Sequence, residues 1–187
     1  EALAGLFWGE MGEEPSRANL RLTLSRLRKL LGPCLTADRR EVRCDFDRPL
    51  WVDIHEFEQA TAIWQAAGPA LAAALNLYRG EFLHDFSVGD APEFEMWVLG
   101  ARERLHRLAL NALHALLQSE LAAGDYPGAI NTSRRMLDLQ PWHEEAHRRL
   151  MWLLGMSGQR GAALAQYELC CRILDQELGV PPEDATT

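Results

Sequence analysis

The chain is poor in the residues that most local catalytic and structural devices need. Its 187 residues include only three tyrosines and four cysteines, and Lys29 is the sole lysine among nineteen basic residues. Cys34, Cys44, Cys170 and Cys171 form no CxxC pair, and neighbours such as Cys170 and Cys171 on a helix point about 100° apart, which suits no shared metal. A disulfide framework and a thiolate zinc site are therefore not expected. The cysteines read as reduced thiols of a cytoplasmic protein, with Cys170 and Cys171 packed as small hydrophobes. There is no Walker-type phosphate loop, no GxGxxG fingerprint and no GxSxG elbow, so nucleotide binding and serine hydrolysis lack a local signature. No apolar run is long enough to span a bilayer and no secretory signal is visible, so no membrane partner is expected. The chain opens on Glu1, not Met, which reads as a fragment.

Charge is present in both signs but unevenly spread. The whole chain carries −8, residues 1–49 balance at +1, residues 16–32 at +5, and residues 50–187 at −9. A basic element beside an acidic body fits a nucleic-acid contact carried by one part of the chain. That element is Ser16 to Gly32. Leu20, Leu24, Leu27 and Leu31 recur at helical spacing, so one stripe is apolar and wants a core. Arg17, Arg21, Arg26, Arg28 and Lys29 occupy much of the remaining circumference with no acid among them. Ser16 is the expected N-cap and Gly32 the expected stop. Such a helix suits the major groove, where Arg reaches base edges and phosphates. A solvated amphipathic helix with basic decoration is the plainer alternative.

In chain order, Leu3, Leu6, Phe7 and Met11 predict a helix before that one, broken at Gly12 to Pro15. Two helices a few residues apart make a helix-turn-helix arrangement. Leu35 and Thr36, then Val42, Cys44 and Phe46, flank a polar tip at Asp38 to Glu41, which predicts a β-hairpin. Helix-turn-helix plus hairpin reads as a winged helix, with Arg39 and Arg40 at the wing tip near phosphates. Asp47 to Trp51 reads as a linker, because Pro49 pushes Arg48 towards extended geometry. From Asp53 the chain is nearly all helix. Asp53 with Glu56 resembles a capping box, and Phe57, Ala60 and Trp64 share a face. Gly68-Pro69 separates the next helix, EFLHDFSVGD is irregular, and Asp90 with Pro92 starts a long helix to about Ala123. Trp97, Leu105, Leu108 and Leu116 are its core candidates.

Gly124 to Ile130, GDYPGAI, recurs as Gly158 to Leu164, GQRGAAL, at an offset of 34 residues. This is the tetratricopeptide period, with Gly closing the first helix and small Ala where the second packs. Residues 53–178 are thus expected to form a small α-solenoid, a module that binds partners by surface. His143-Glu144-Glu145-Ala146-His147 matches the H-E-x-x-H pattern of zinc hydrolases. No third ligand is specified, and a repeat helix starting there would favour Glu in its first turn for the helix dipole.

ANLRLTLSRLRKLLG, LTADRREVRCDF and WVDIHEFEQA resemble bacterial activators of the antibiotic-regulatory type, in which an OmpR-like winged helix precedes a bacterial transcriptional activator domain. YRGEFLHDF and HEEAHRRLMWLLGMSGQRGAALAQYELCCRILDQELGVPPED resemble motifs of that activator domain. The resemblance covers essentially the whole chain, with its motifs in order. It implies a mainly α fold: a partial winged helix over 1–49, then a tetratricopeptide-like helical activator domain over 50–187. It implies a sequence-specific activator with promoter DNA and RNA polymerase as partners, a possible homo-oligomer, no cofactor and no catalysis. Arg26 matches the base-reading position, with Thr23 one turn before it and Leu22 facing outward towards a thymine methyl. Asn19, Arg21, Ser25, Arg28 and Lys29 would serve bases or phosphates, and Arg39 and Arg40 the wing. A protein-interaction scaffold without DNA binding is the alternative. A full winged helix of this type begins with a sheet and another helix, so residues 1–49 are expected to be less stably ordered than the helical body, and the chain as a fragment is expected to bind DNA poorly.

Overall fold

Turn residues punctuate the chain close to where the sequence places them. The computed structural model describes residues 1–38, 40–48, 50–62 and 68–187. Along them run α1 (Ala2–Trp8), α2 (Glu13–Leu31), a 3-10 turn (Gly32–Cys34), β1 (Leu35–Ala37) and β2 (Val42–Cys44). Then come α3 (Asp53–Ala62), α4 (Gly68–Leu75), α5 (Pro92–Ala123), α6 (Tyr126–Leu139), α7 (Glu144–Met156) and α8 (Arg160–Ile173), which ends in a π-helical turn over Leu174–Leu178. The protein is mainly helical, with a small antiparallel hairpin near the N-terminus followed by helical repeats, as expected. Arg39, Pro49 and Trp64, to which the sequence assigns a wing tip, a linker and a core face, lie outside the described residues. The chain divides into two compact units, Glu1–Glu56 with Arg79–Leu105, and Phe57–Tyr78 with His106–Thr187.

In the first unit the core forms around Ala91, Phe94 and Val98, against which Leu6, Phe7, Phe82, Leu83 and Val88 pack. Phe7 stacks on Phe94 with ring centroids 5.1 Å apart. The irregular stretch before α5 is fixed by Arg102, whose guanidinium donates to the carbonyls of Phe82 and Leu83 at 2.8 and 2.9 Å. Those bonds hold Leu83 at φ 49°, a conformation costly for a bulky side chain. Trp97, an expected core residue, is 49% exposed, whereas Leu105 and Leu116 are buried. Trp97 borders the aromatic cluster edge-on to Phe82, and helical spacing alone does not separate the rim of a core from its centre.

α2 starts at Glu13, ahead of the expected Ser16 cap. Pro15 is tolerated in the first turn, where its missing N–H has no intrahelical partner to lose, and Glu13 and Glu14 suit the positive end of the helix dipole. Ser16 is instead buried, its hydroxyl shared between the Trp8 and Gly12 carbonyls at 2.8 and 2.9 Å. Gly32 ends the helix at φ 56°. The leucine stripe is only partly covered: Leu20 and Leu24 are half-buried, while Leu27 and Leu31 are 37% and 36% exposed. The main packing neighbours of α2 are α1, the 3-10 turn and β1, all too short to cover a 19-residue helix.

In the second unit α6 packs on α7 and α7 on α8. Gly124 and Gly158 take the left-handed conformation, φ 72° and 74°. The next amide reaches back into the preceding helix in both copies, Asp125 N–H to the Glu120 carbonyl at 2.9 Å and Gln159 N–H to the Leu154 carbonyl at 2.8 Å. Glycine is the residue that closes a helix this way without strain. Past this turn the two copies differ. Ala129 and Ile130 are buried, whereas Leu164 is 67% exposed. The Arg135 guanidinium donates to the Leu75 carbonyl at 2.9 Å, tying α6 to the end of α4.

Candidate nucleic-acid interface

The basic residues of α2 separate into two sets once their partners are known. Arg17 is engaged by Glu1 and Glu13, each at 2.5 Å, so part of its charge is neutralised within the chain. Arg28 donates to the Ala37 carbonyl, which docks the C-terminal half of α2 on the hairpin. Asn19 donates to the Met11 sulfur at 3.5 Å. Arg21, Arg26 and Lys29 are exposed and have no protein partner among the described residues. Leu22 lies three and four residues before Ser25 and Arg26, and Lys29 four and three after them, so the four share the face opposite the leucine stripe. Thr23 is exposed at the edge of that face, and Leu22 is 53% exposed near its middle.

The hairpin pairs Leu35 with Cys44, Thr36 with Arg43 and Ala37 with Val42. Its tip is held by Asp38, whose carboxylate accepts the backbone amides of Arg40 and Glu41 at 2.7 and 2.9 Å. Those two bonds, the Arg40 amide first, hold the Asp38 carboxyl below its ordinary range. Arg40 is exposed, with no side-chain partner among the described residues, whereas Arg43 pairs with Glu41 at 2.5 Å. Chemically the arrangement is a helix face and a hairpin tip presenting guanidinium, ammonium and hydroxyl donors outward. It has the donors for phosphates and base edges.

Sequence reasoning overlooked the fixing groups. Ser16 read as a cap, and the contact of Arg28 with the hairpin was not foreseen. Both contacts depend on the Trp8, Gly12 and Ala37 carbonyls, whose positions no periodicity reports. The helix placement does account for the HEEAH run. His143 is the N-cap of α7, its Nδ1 accepting the Ala146 amide at 3.1 Å. His147 is buried, with Nε2 on the Pro141 carbonyl at 2.8 Å and Nδ1 on the Gln166 amide at 2.6 Å. Among the described residues no group of three or more His, Cys, Asp or Glu is placed to hold a metal.

Comparison with known proteins bears on this arrangement. The family model for the bacterial transcriptional activator domain matches residues 52–187. Over 189 residues the chain is 30% identical to the regulatory protein AfsR of Streptomyces griseus, covering 96% of this chain and 19% of that protein. It is 29% identical over 192 residues to AfsR of Streptomyces coelicolor, covering 96% of this chain and 18% of that one. Both alignments extend well upstream of residue 52 and so take in most of the first 51 residues. The structure of Mycobacterium tuberculosis EmbR in complex with a low-affinity phosphopeptide superposes with a TM-score of 0.70 at 25% identity, covering 99% of this chain and 51% of that one. The chain therefore spans about a fifth of the length of the curated relatives it matches.

Proposed function

The chain belongs to the bacterial transcriptional activator domain family, and from that premise we propose that it serves a cytoplasmic, sequence-specific activator. In this reading residues 1–49 are part of a winged helix, with α2 as the reading helix and the hairpin as the wing. Residues 50–187 are tetratricopeptide-like repeats that contact RNA polymerase, a regulatory partner or a second protomer. The observation that carries the reading is the outward face of α2. Arg21, Arg26 and Lys29 stand free of protein partners among the described residues, beside exposed Leu22 and Ser25, while Arg17 and Arg28 are occupied with intramolecular contacts. Arg26 then pairs with a base edge, Leu22 with a thymine methyl, and Arg40 with a phosphate.

The test is duplex binding by fluorescence anisotropy across a salt series on the full-length protein, for wild type and Arg26→Ala. Four free cations, Arg21, Arg26, Lys29 and Arg40, give an expected slope of log affinity on log salt between about −3 and −4. Sequence preference is expected to disappear in Arg26→Ala. Flat, weak binding in both proteins sinks the reading. One observation favours a second reading: Leu30 is 81% exposed on the same helix, which suits an α2 docked on an acidic protein without DNA. A flat salt series for DNA favours that alternative.

A further inference from the structure

The free acidity of the first compact unit gathers around one cleft. It measures about 730 Å³ and opens between the end of α1 and the segment that leads into α5. Phe7, Trp8, Met11 and Val88 give it an apolar lining, and Glu10 and Asp90 give it charge. Residues 5–14 and 80–95, which supply the two walls, hold eight carboxylates and no Arg or Lys. Some of these are engaged within the chain: Glu13 and Glu14 by Arg17, Glu81 by Arg102, Asp85 beside the His84 ring, and Glu95 by the Val88 amide. Glu10, Asp90 and Glu93 have no side-chain partner among the described residues. Glu93 belongs to the same rim, its Cγ 3.8 Å from where a Cβ on Gly9 would stand. The complementary surface is the open face of α2. Leu22, Arg26 and Leu30 stand one turn apart on a line about 12 Å long, with Lys29 beside them and the two leucines 53% and 81% exposed. A copy cannot fill its own cleft with this face. α2 begins at Glu13, just past Met11 of the cleft wall, and Arg26 and Lys29 lie about 20 and 24 Å further along its axis.

We infer that a second copy of this chain fills the cleft with its α2, Arg26 and Lys29 meeting Glu10, Asp90 and Glu93 while Leu22 and Leu30 cover Trp8 and Met11. Charge complementarity names the occupant from both sides. The cleft offers three unpaired carboxylates with no cation between them, and residues 16–32 offer unpaired cations with no acid among them. Exchanged reciprocally, the two contacts are related by a two-fold axis, so the pair closes without growing into a filament. The pairing covers the face with which α2 would meet nucleic acid, so the two uses of α2 exclude each other. The inference makes a second copy the acidic protein on which α2 docks, and it stands whether or not α2 also binds DNA.

The test is carbodiimide cross-linking of the full-length protein at low salt, without DNA, in a mixture of isotopically light and heavy copies read by mass spectrometry. The reagent joins an amine directly to a carboxylate, and Lys29 is the sole lysine of these 187 residues. Peptides joining Lys29 to Glu10, Asp90 or Glu93 are expected, with light joined to heavy. Their yield is expected to fall about tenfold or more in Arg26→Glu and in Glu10→Arg, where like charges face each other. It is expected to fall also at about 1 M salt, where the screening length is about 3 Å. Mixing the two variants is expected to restore the links from Lys29 to Asp90 and Glu93, because the basic α2 of one variant then meets the acidic cleft of the other. Circular dichroism checks that the variants keep their helices, and Glu93→Arg stands in for Glu10→Arg if that variant unfolds. A wild type without these peptides, or with Lys29 joined only to other carboxylates, overturns the inference. So do variants that cross-link as the wild type does, or a mixture that fails to recover. With no DNA present, these outcomes are separate from those of the duplex salt series.

Discussion

Two helices with leucines at helical spacing meet different fates in this protein. α7 buries Ala146, His147, Leu150, Leu153 and Leu154 within 13 residues, between α6 and α8. α2 is longer, 19 residues, and buries Ser16 alone. The apolar stripe is similar in the two, and what differs is the neighbour available. Each side of α7 faces another helix of similar length, whereas α2 meets a seven-residue helix and a three-residue strand. α2 is therefore fixed by polar contacts near its ends, Ser16 on the Trp8 and Gly12 carbonyls and Arg28 on the Ala37 carbonyl. A helix held this way keeps most of its circumference open, which suits recognition. A helix held by side-chain packing on two flanks suits a scaffold.

The contrast breaks most visibly in stability. Leu150→Ala removes a fully buried side chain and is expected to cost roughly 2–5 kcal/mol, whereas Leu27→Ala, already 37% exposed, is expected to cost under about 1 kcal/mol. Urea melts of the two variants check this, and equal losses would mean that α2 is as firmly packed as α7. Next in size is recognition. Arg26→Ala is expected to forfeit roughly 1–3 kcal/mol of discrimination between bases. Arg40→Ala is expected to weaken all sequences alike and lower the salt slope by about one. A mutant that behaves like its counterpart would merge the roles proposed for the α2 face and the hairpin tip.

The smallest effect separates the two regions by pH. Burial holds the His147 ring below the ordinary histidine range, and its bond to the Pro141 carbonyl only partly opposes that. The unfolded chain takes up a proton near pH 6.5 that the folded ring refuses until lower pH. This contribution is therefore complete above about pH 6.5 and is lost as pH falls towards the folded value, by at most about 1.4 kcal/mol per pH unit for one proton. Melts at pH 7.5 and pH 5.5 are expected to show this loss in the wild type and to show less of it in His147→Gln. A pH dependence equal in the two proteins would place the titration elsewhere.

Much of the local structure is legible in the residues. The hairpin is announced by alternation on either side of Asp38 to Glu41, and Asp38 then caps its own tip. The repeat is announced by Gly124 and Gly158, whose left-handed turns recur because the same backbone requirement recurs. Other features escape a linear reading. Ser16 fits an N-cap by pattern, yet its hydroxyl serves the turn before the helix. Trp97 fits a core position by spacing, yet it lies at a rim. Arg28 resembles its basic neighbours on α2, and only the Ala37 carbonyl sets it apart. Ile130 and Leu164 hold the same place in the repeat, and one is buried and the other open.

By itself the sequence determined which stretches are helix, strand or turn, and where the cationic face of α2 lies. Those depend on capping, glycine and proline geometry and residue spacing, all of which act within a few positions. Tertiary structure alone decided which apolar stripes are covered, which arginines remain free and that the histidines of the HEEAH run serve α7 as cap and core. A periodic pattern specifies a face, while the atoms that meet that face come from distant parts of the chain.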